Sequence, residues 1–235
     1  MSDQHIASAF DRDLEAIQAQ IMRMGGLVEH AINQAAKALE DRDEELAEII
    51  RKEDKAIDAL EEQINEDVAR VLAIRAPMGQ DLRVVLSVLK ISANLERVGD
   101  YAKNIAKRTG VIAVHDPING TGSALRRMAR EVEVMLKDTL DAYIRRDEVL
   151  AEKVRQRDQD VDQMYNGLFR QFLTHMMEDQ QNITMCMHMH FIAKNIERMG
   201  DHVTSVADQV IYLVTGSMPE EGRPKGNSAM YETKA

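Results

Sequence analysis

Along residues 84–105 the apolar positions fall at Val84, Val88, Ile91, Leu95, Val98, Ala102 and Ile105, in alternating steps of four and three. That spacing lays one apolar stripe down a single helix face and leaves the other faces polar. The stripe returns 101 residues later at Met185, Met189, Ile192, Ile196, Met199, Val203 and Val206. The preceding segment repeats too. Leu46, Ile50, Ile57, Leu60, Ile64 and Val68 match Leu150, Val154, Val161, Met164, Leu168 and Phe172 at an offset of 104. Two helices in matched register, with a turn three residues shorter the second time, mark an internal duplication. Segments 11–40 and 124–144 carry helical periodicity as well and supply a third helix to each half. The predicted fold is all-α: two tandem antiparallel three-helix bundles, six helices in total.

Breaks between the periodic segments divide the chain. "IRAPMGQD" (74–81) reads as a turn between helices, with Pro77 and Gly79 as breakers. "HDPINGTGS" (115–123) is the stretch most like a linker. The expected division is a first repeat over 1–114, a linker over 115–122 and a second repeat over 123–216. Residues 217–235 lack apolar period and are rich in Gly, Pro and charge, so a disordered tail is expected there.

Composition agrees with helices, since aromatics are 4% and Trp is absent. The net charge of −10 leaves no basic stripe for nucleic acid or anionic lipid. Cys186 is the single cysteine, which rules out an intramolecular disulfide. The N-terminus lacks the charged-then-apolar order of a signal peptide, and no apolar run approaches about 18 residues. The expected location is the cytoplasm.

The candidate chemistry lies in a stretch written twice, Glu-Arg-x-Gly-Asp at 96–100 and at 197–201. Glu96 with Asp100, and Glu197 with Asp201, are four apart and so stack on one helix face. Asp54 with Asp58, and Asp158 with Asp162, repeat that spacing one helix earlier. In an antiparallel hairpin, level residues have a constant index sum. Asp54 with Asp100 and Asp58 with Glu96 both sum to 154, centred on Pro77; Asp158 with Asp201 and Asp162 with Glu197 both sum to 359, centred in the second turn. Each bundle is therefore expected to hold four carboxylates at matched heights. Such a set repels itself unless a cation such as Mg, Mn, Zn or Fe relieves it; the alternative is a plain solvated acidic face. Both glutamate–aspartate pairs point away from the apolar stripe, so the site is expected to be open to solvent. Gly99 and Gly200 sit mid-helix at a cost of about 1 kcal/mol each, which points to close helix packing. His190 shares the face of Glu197, Asp201 and Asp208 and is a further candidate ligand. His188 is not, and Cys186 reads as a packed residue. There is no Glu-x-x-His, P-loop, GxGxxG or defensible Ser/His/Asp grouping.

These residues carry a resemblance. "FDRDLEAI" (10–17), "REDKAIDALEEQI" (51–63), "APMGQDLR" (76–83), "ISANLERVGDYAKNIAKR" (91–108) and "FIAKNIERMGDHVTSVADQVIYLVTG" (191–216) resemble the PhoU family of phosphate-signalling proteins over about residues 8–216. The resemblance implies a six-helix protein of two repeats that is not an enzyme. It implies a cytoplasmic regulator, with a homodimer as a candidate assembly, whose partners are the phosphate ABC transporter ATPase and a sensor histidine kinase. It restrains both when phosphate is plentiful, reaching the membrane only through them. Some members bind multinuclear metal clusters through paired E(D)xxxD motifs. By motif position the ligands here are Asp54, Asp58, Glu96 and Asp100 in the first repeat, and Asp158, Asp162, Glu197 and Asp201 in the second. This chain departs at Lys103 and Lys107, where relatives often carry an acid, and at Ser205. Lys107 stands where the second repeat has Asp208, so the second set is expected to bind metal more tightly. No basic pocket or glycine-rich cradle for phosphate is evident, so phosphate sensing is expected to be indirect. The rival readings are a carboxylate-bridged metalloenzyme and a helical adaptor that binds no metal.

Overall fold

The computed structural model describes residues 2–219, with side chains from residue 10 onward. Six long helices follow one another: α1 (Ser2–Asp41), α2 (Glu44–Arg75), α3 (Gln80–Ala113), α4 (Thr121–Arg145), α5 (Glu148–Glu178) and α6 (Ile183–Thr215), with a single 3-10 turn at Gln180–Asn182. Among the described residues there is no strand. The duplication predicted by the periodicity extends to the caps. Asp43 accepts the Leu46 backbone N–H at 2.9 Å to start α2, and Asp147 accepts that of Leu150 at 2.9 Å to start α5. Each cap satisfies a donor that the first helical turn leaves open. The α2–α3 turn bends through left-handed Ala76 (φ 44°) and Gly79 (φ 59°). α3 and α4 are joined by residues 114–120. Of the expected tail, residues 220–235 lie outside the described residues.

Helices α1, α2 and α3 pack on one another, as do α4, α5 and α6. The stripes predicted on α3 and α6 are buried from Val88 to Ile105 and from Met185 to Val206. One stripe position departs: Met164, the counterpart of buried Leu60, is 39% exposed on the rim of a cleft lined by Glu131, Asp160 and Gln163.

The two tandem bundles also pack against each other. α3 packs extensively on α6, and α1 packs on α4, so the apolar residues form one continuous core. α2 and α5 do not touch. α3 and α6 also bury a row of small residues against their own bundles, where Gly99 faces α2 and Gly200 faces α5 and α4. Ser92, Gly99 and Ala106 on α3 repeat as Ala193, Gly200 and Ala207 on α6, seven apart and in register, so two helical turns separate each pair. Polar and aromatic contacts close the α3–α6 seam. His202 Nδ1 lies 2.8 Å from Asn94 Oδ1, and the Tyr101 and His202 rings sit 5.6 Å apart. Arg108 lies over the Phe191 ring at 4.6 Å and bonds His188 Nδ1 at 3.2 Å. Among the described residues no helix is long and apolar enough to cross a membrane.

Candidate functional site

The first acidic set spans α2 and α3. Asp54 is only 4% exposed, which a carboxylate tolerates only with a counter-charge. That charge is Lys103, whose Nζ donates to Asp54 and lies 3.4 Å from Asp100 Oδ1. One ammonium therefore ties the acids of two helices together, and its bond to Asp54 pushes the Lys103 pKa up. Burial pushes Glu96 up to about 7, helped by the charge of Asp100 and a hydrogen bond to it, against a weaker opposite pull from Arg97. Partial desolvation and the charge of Asp54 also raise Asp58, while Lys103 opposes the rise. Gly99 explains how the set assembles. A Cβ there would meet Ile57 Cδ1 at 3.0 Å and Asp54 Oδ1 at 3.7 Å, so the bare glycine lets α2 bring Asp54 against the α3 backbone.

The second set repeats the plan on α5 and α6. Asp158 is 8% exposed, and its Oδ1 lies 3.1 Å from where a Gly200 Cβ would stand. Glu197 accepts from Lys194 Nζ at 2.6 Å through Oε1, while its Oε2 is buried without a hydrogen-bond partner. Burial raises the Glu197 pKa; Lys194 opposes this, and the charges of Asp201 and Asp162 add to it. The counterpart of Lys103 is Thr204, a neutral residue whose hydroxyl donates to the Gly200 carbonyl at 2.9 Å. Lys194 comes from the other direction, three residues before the glutamate, and also lies 5.3 Å from the Tyr165 ring.

The PhoU domain model matches this chain twice, over residues 21–109 and 125–210, and each match holds one acidic set. The chain belongs to the PhoU family. Two curated PhoU relatives, each named as a phosphate-specific transport system accessory protein PhoU homolog, match nearly end to end. The one from Rhizobium meliloti is 42% identical across 96% of this chain and 95% of its own length. The one from Zymomonas mobilis is 45% identical across 94% and 93%. The crystal structure of PhoU from Pseudomonas aeruginosa superposes with a TM-score of 0.85 at 36% identity, covering 88% of this chain and all of that one. The phosphate transport system regulatory protein PhoU from Streptococcus pneumoniae gives 0.83 at 29% identity, over 90% and 99%.

Several expectations change once the PhoU repeats are seen folded. The acid sets are not open to solvent as a whole, because the glycines sink Asp54 and Asp158 between helices and Glu197 keeps a side-chain exposure of 13%. Asp208 does not stand ready as an extra ligand, since Arg155 on α5 holds it at 2.7 Å. Lys107 is exposed. At matched positions the repeats carry Lys103 and Thr204, and Lys107 and Asp208. His190 joins an aromatic group, with ring centroids 5.2 Å from Phe169, 5.8 Å from Tyr165 and 6.0 Å from Phe191. Among the described residues, no group of three His, Cys, Asp or Glu side chains is placed to hold a metal ion. Lys194 and Arg155 were not singled out from the sequence. The first had a legible signal, its spacing of three from Glu197. The second has only its duplicate Arg51, which bonds Glu48 as Arg155 bonds Glu152.

Proposed function

We propose that this protein is a regulatory accessory of a phosphate-specific transport system that acts by docking and not by catalysis. The observation that carries this reading is the match of both repeats, nearly end to end, to accessory proteins of that system. In this reading the protein works in the cytoplasm and engages the transporter ATPase and the sensor histidine kinase, restraining both when phosphate is abundant. The acidic hairpin faces suit basic surfaces on those partners, because complementary charge steers encounter and sets register. A divalent or iron-type cation at the second set, held among Asp158, Asp162, Glu197 and Asp201, would tune that face by cancelling part of its charge. The unpartnered Glu197 Oε2 is the feature that fits a cation there.

Deleting the gene tests the reading. A phosphate-starvation reporter should switch on in high phosphate and fall again when the full chain is restored. A reporter that stays off in the deletion strain refutes the proposed role. Saturable binding of inorganic phosphate to the isolated, metal-free protein would show that sensing is direct, against the indirect route expected here.

A further inference from the structure

We propose that the exposed seam between α3 and α6 is a docking groove for an acidic helix of a partner protein, apolar near both of its ends. Along α3, Arg83, Lys90, Arg97 and Arg108 fall within about 40° of one line, and along α6 so do Lys194 and Arg198. No carboxylate shares either line; the nearest, Asp100 and its duplicate Asp201, stand about 60° aside, with the acidic sets. Among the described residues no other helix packs on these lines, where Leu86, Lys90, Arg97, Met187, Phe191 and Arg198 are all exposed. Contacts across the seam set its register. Asn94 with His202 and Arg108 with His188 both sum to 296, and Arg97 with Arg198 sums to 295, so these two duplicate arginines stand level at the centre of the seam.

Charge and apolarity are ordered along this seam. At its centre, neither Lys90 nor Arg198 is ion-paired among the described residues. Arg97 keeps 60% of its side chain exposed and lies 3.6 Å from both Glu96 and Asp100, the loose geometry of a surface pair that contributes little. Each end carries a cation on an aromatic ring, Arg83 over Tyr212 at 5.7 Å and Arg108 over Phe191 at 4.6 Å. Beside those rings stand the duplicates Leu86 and Met187, each 40% exposed. In the seam register Met187 is level with Thr109, which puts it on the order of 35 Å from Leu86. That span is too long for one small anion and suits a helix of about 25 residues lying in the groove between two packed helices. Opposite charge in its middle would meet the level arginines, and apolar side chains near its ends would cover Leu86 and Met187. The acidic sets on either side repel a broad polyanion such as a nucleic-acid duplex, so a single narrow helix fits best. This surface has the opposite sign from the acidic hairpin faces, and the inference stands without any cation bound at them. A net charge of −10 conceals it, because the acids of α3 and α6 turn to other faces and the cations of two helices combine only when the chain folds.

The test is fluorescence anisotropy of the full chain with a labelled helical peptide of about 25 residues, leucine-rich at both ends and glutamate-rich in the middle. Wild type is expected to bind it saturably, and more weakly as salt is raised. Arg97→Glu with Arg198→Glu should weaken binding about tenfold or more. Lys90→Glu changes one exposed side chain, so it should weaken binding as well and carries the test if the double variant does not fold. Arg127→Glu with Arg130→Glu makes the same charge change at exposed positions of α4 and should leave binding unchanged. A wild type that does not saturate overturns the proposal, as does an α4 variant that loses as much as the seam variant. Equal binding of a peptide with glutamate-rich ends and a leucine-rich middle also overturns it, and so does equal competition by a DNA duplex of matched charge. Sedimentation checks the remaining occupant: self-association of wild type that Arg97→Glu with Arg198→Glu abolishes would make a second copy of this chain the occupant and overturn the assignment to a partner.

Discussion

The glycine in each Glu-Arg-x-Gly-Asp stretch should respond to the same substitution differently in the two repeats. Alanine in place of a mid-helix glycine gains about 1 kcal/mol from reduced backbone freedom. At Gly99 the new methyl meets Ile57 Cδ1 at 3.0 Å and Cγ2 at 3.4 Å. The nearer atom ends a flexible side chain, and easing it off its rotamer costs about 0.5–1.5 kcal/mol. The two effects nearly cancel. At Gly200 the methyl meets Asp158 Oδ1 at 3.1 Å, with Val161 Cγ1 at 3.5 Å and Val132 Cγ2 at 3.8 Å behind it. Asp158 is 8% exposed and cannot yield without losing its present contacts, a loss of about 1–3 kcal/mol for a buried polar group. Gly200→Ala should therefore lower stability by about 1 kcal/mol relative to Gly99→Ala, roughly fivefold in the folded-to-unfolded ratio. Urea melts followed by helical circular dichroism, with both variants and wild type in chelator, measure this directly. A Gly200→Ala midpoint at or above that of Gly99→Ala would show that the glycine does not set the approach of the aspartate.

Adjacent glycines on α1 should also diverge. A Cβ at Gly25 would fall 2.5 Å and 2.8 Å from the methyl carbons of Leu140 on α4, whereas Gly26 has nothing within 4 Å. Gly26→Ala should raise the melting midpoint by about 1 kcal/mol of stability, and Gly25→Ala should lower it by about 1–3 kcal/mol through overpacking of the α1–α4 contact; equal effects would refute the packing argument. Arg108→Ala removes the guanidinium from Phe191 and His188 at the α3–α6 seam and should cost about 1 kcal/mol in the same melts. Burial, then Arg108 and His115, hold the His188 pKa below its ordinary 6.5. Its contribution is therefore complete above that value, because the unfolded chain takes up the proton first as pH falls. Wild type should lose more stability between pH 7 and pH 5 than His188→Gln, and parallel pH profiles would refute the assignment.

Much of the fold was legible along the chain because helical periodicity is a local property. A stripe that steps by four and three can be buried only as a helix, and its recurrence at offsets of 101 and 104 carries the caps, the turns and the level acids with it. The index sums placed Asp54 opposite Asp100 and Asp162 opposite Glu197 for the same reason, since helical rise and an antiparallel turn leave little freedom. The family was legible too, from motifs that keep their order. What the sequence could not decide was which side chains from different helices meet. The contact of α3 with α6 is marked by Asn94, Tyr101 and Arg108 against His188, Phe191 and His202, polar and aromatic positions that no periodicity pairs across a hundred residues. The burial of Asp54 and Asp158 depends on interhelical distances set by Gly99 and Gly200, and the partners of Lys103 and Asp208 depend on rotamers chosen in that packed setting. A lysine three residues from an acid can pair with that acid alone or reach past it to a carboxylate on another helix. Only the tertiary structure distinguished these for Lys103, because the difference lies in where a flexible side chain finds its buried counter-charge.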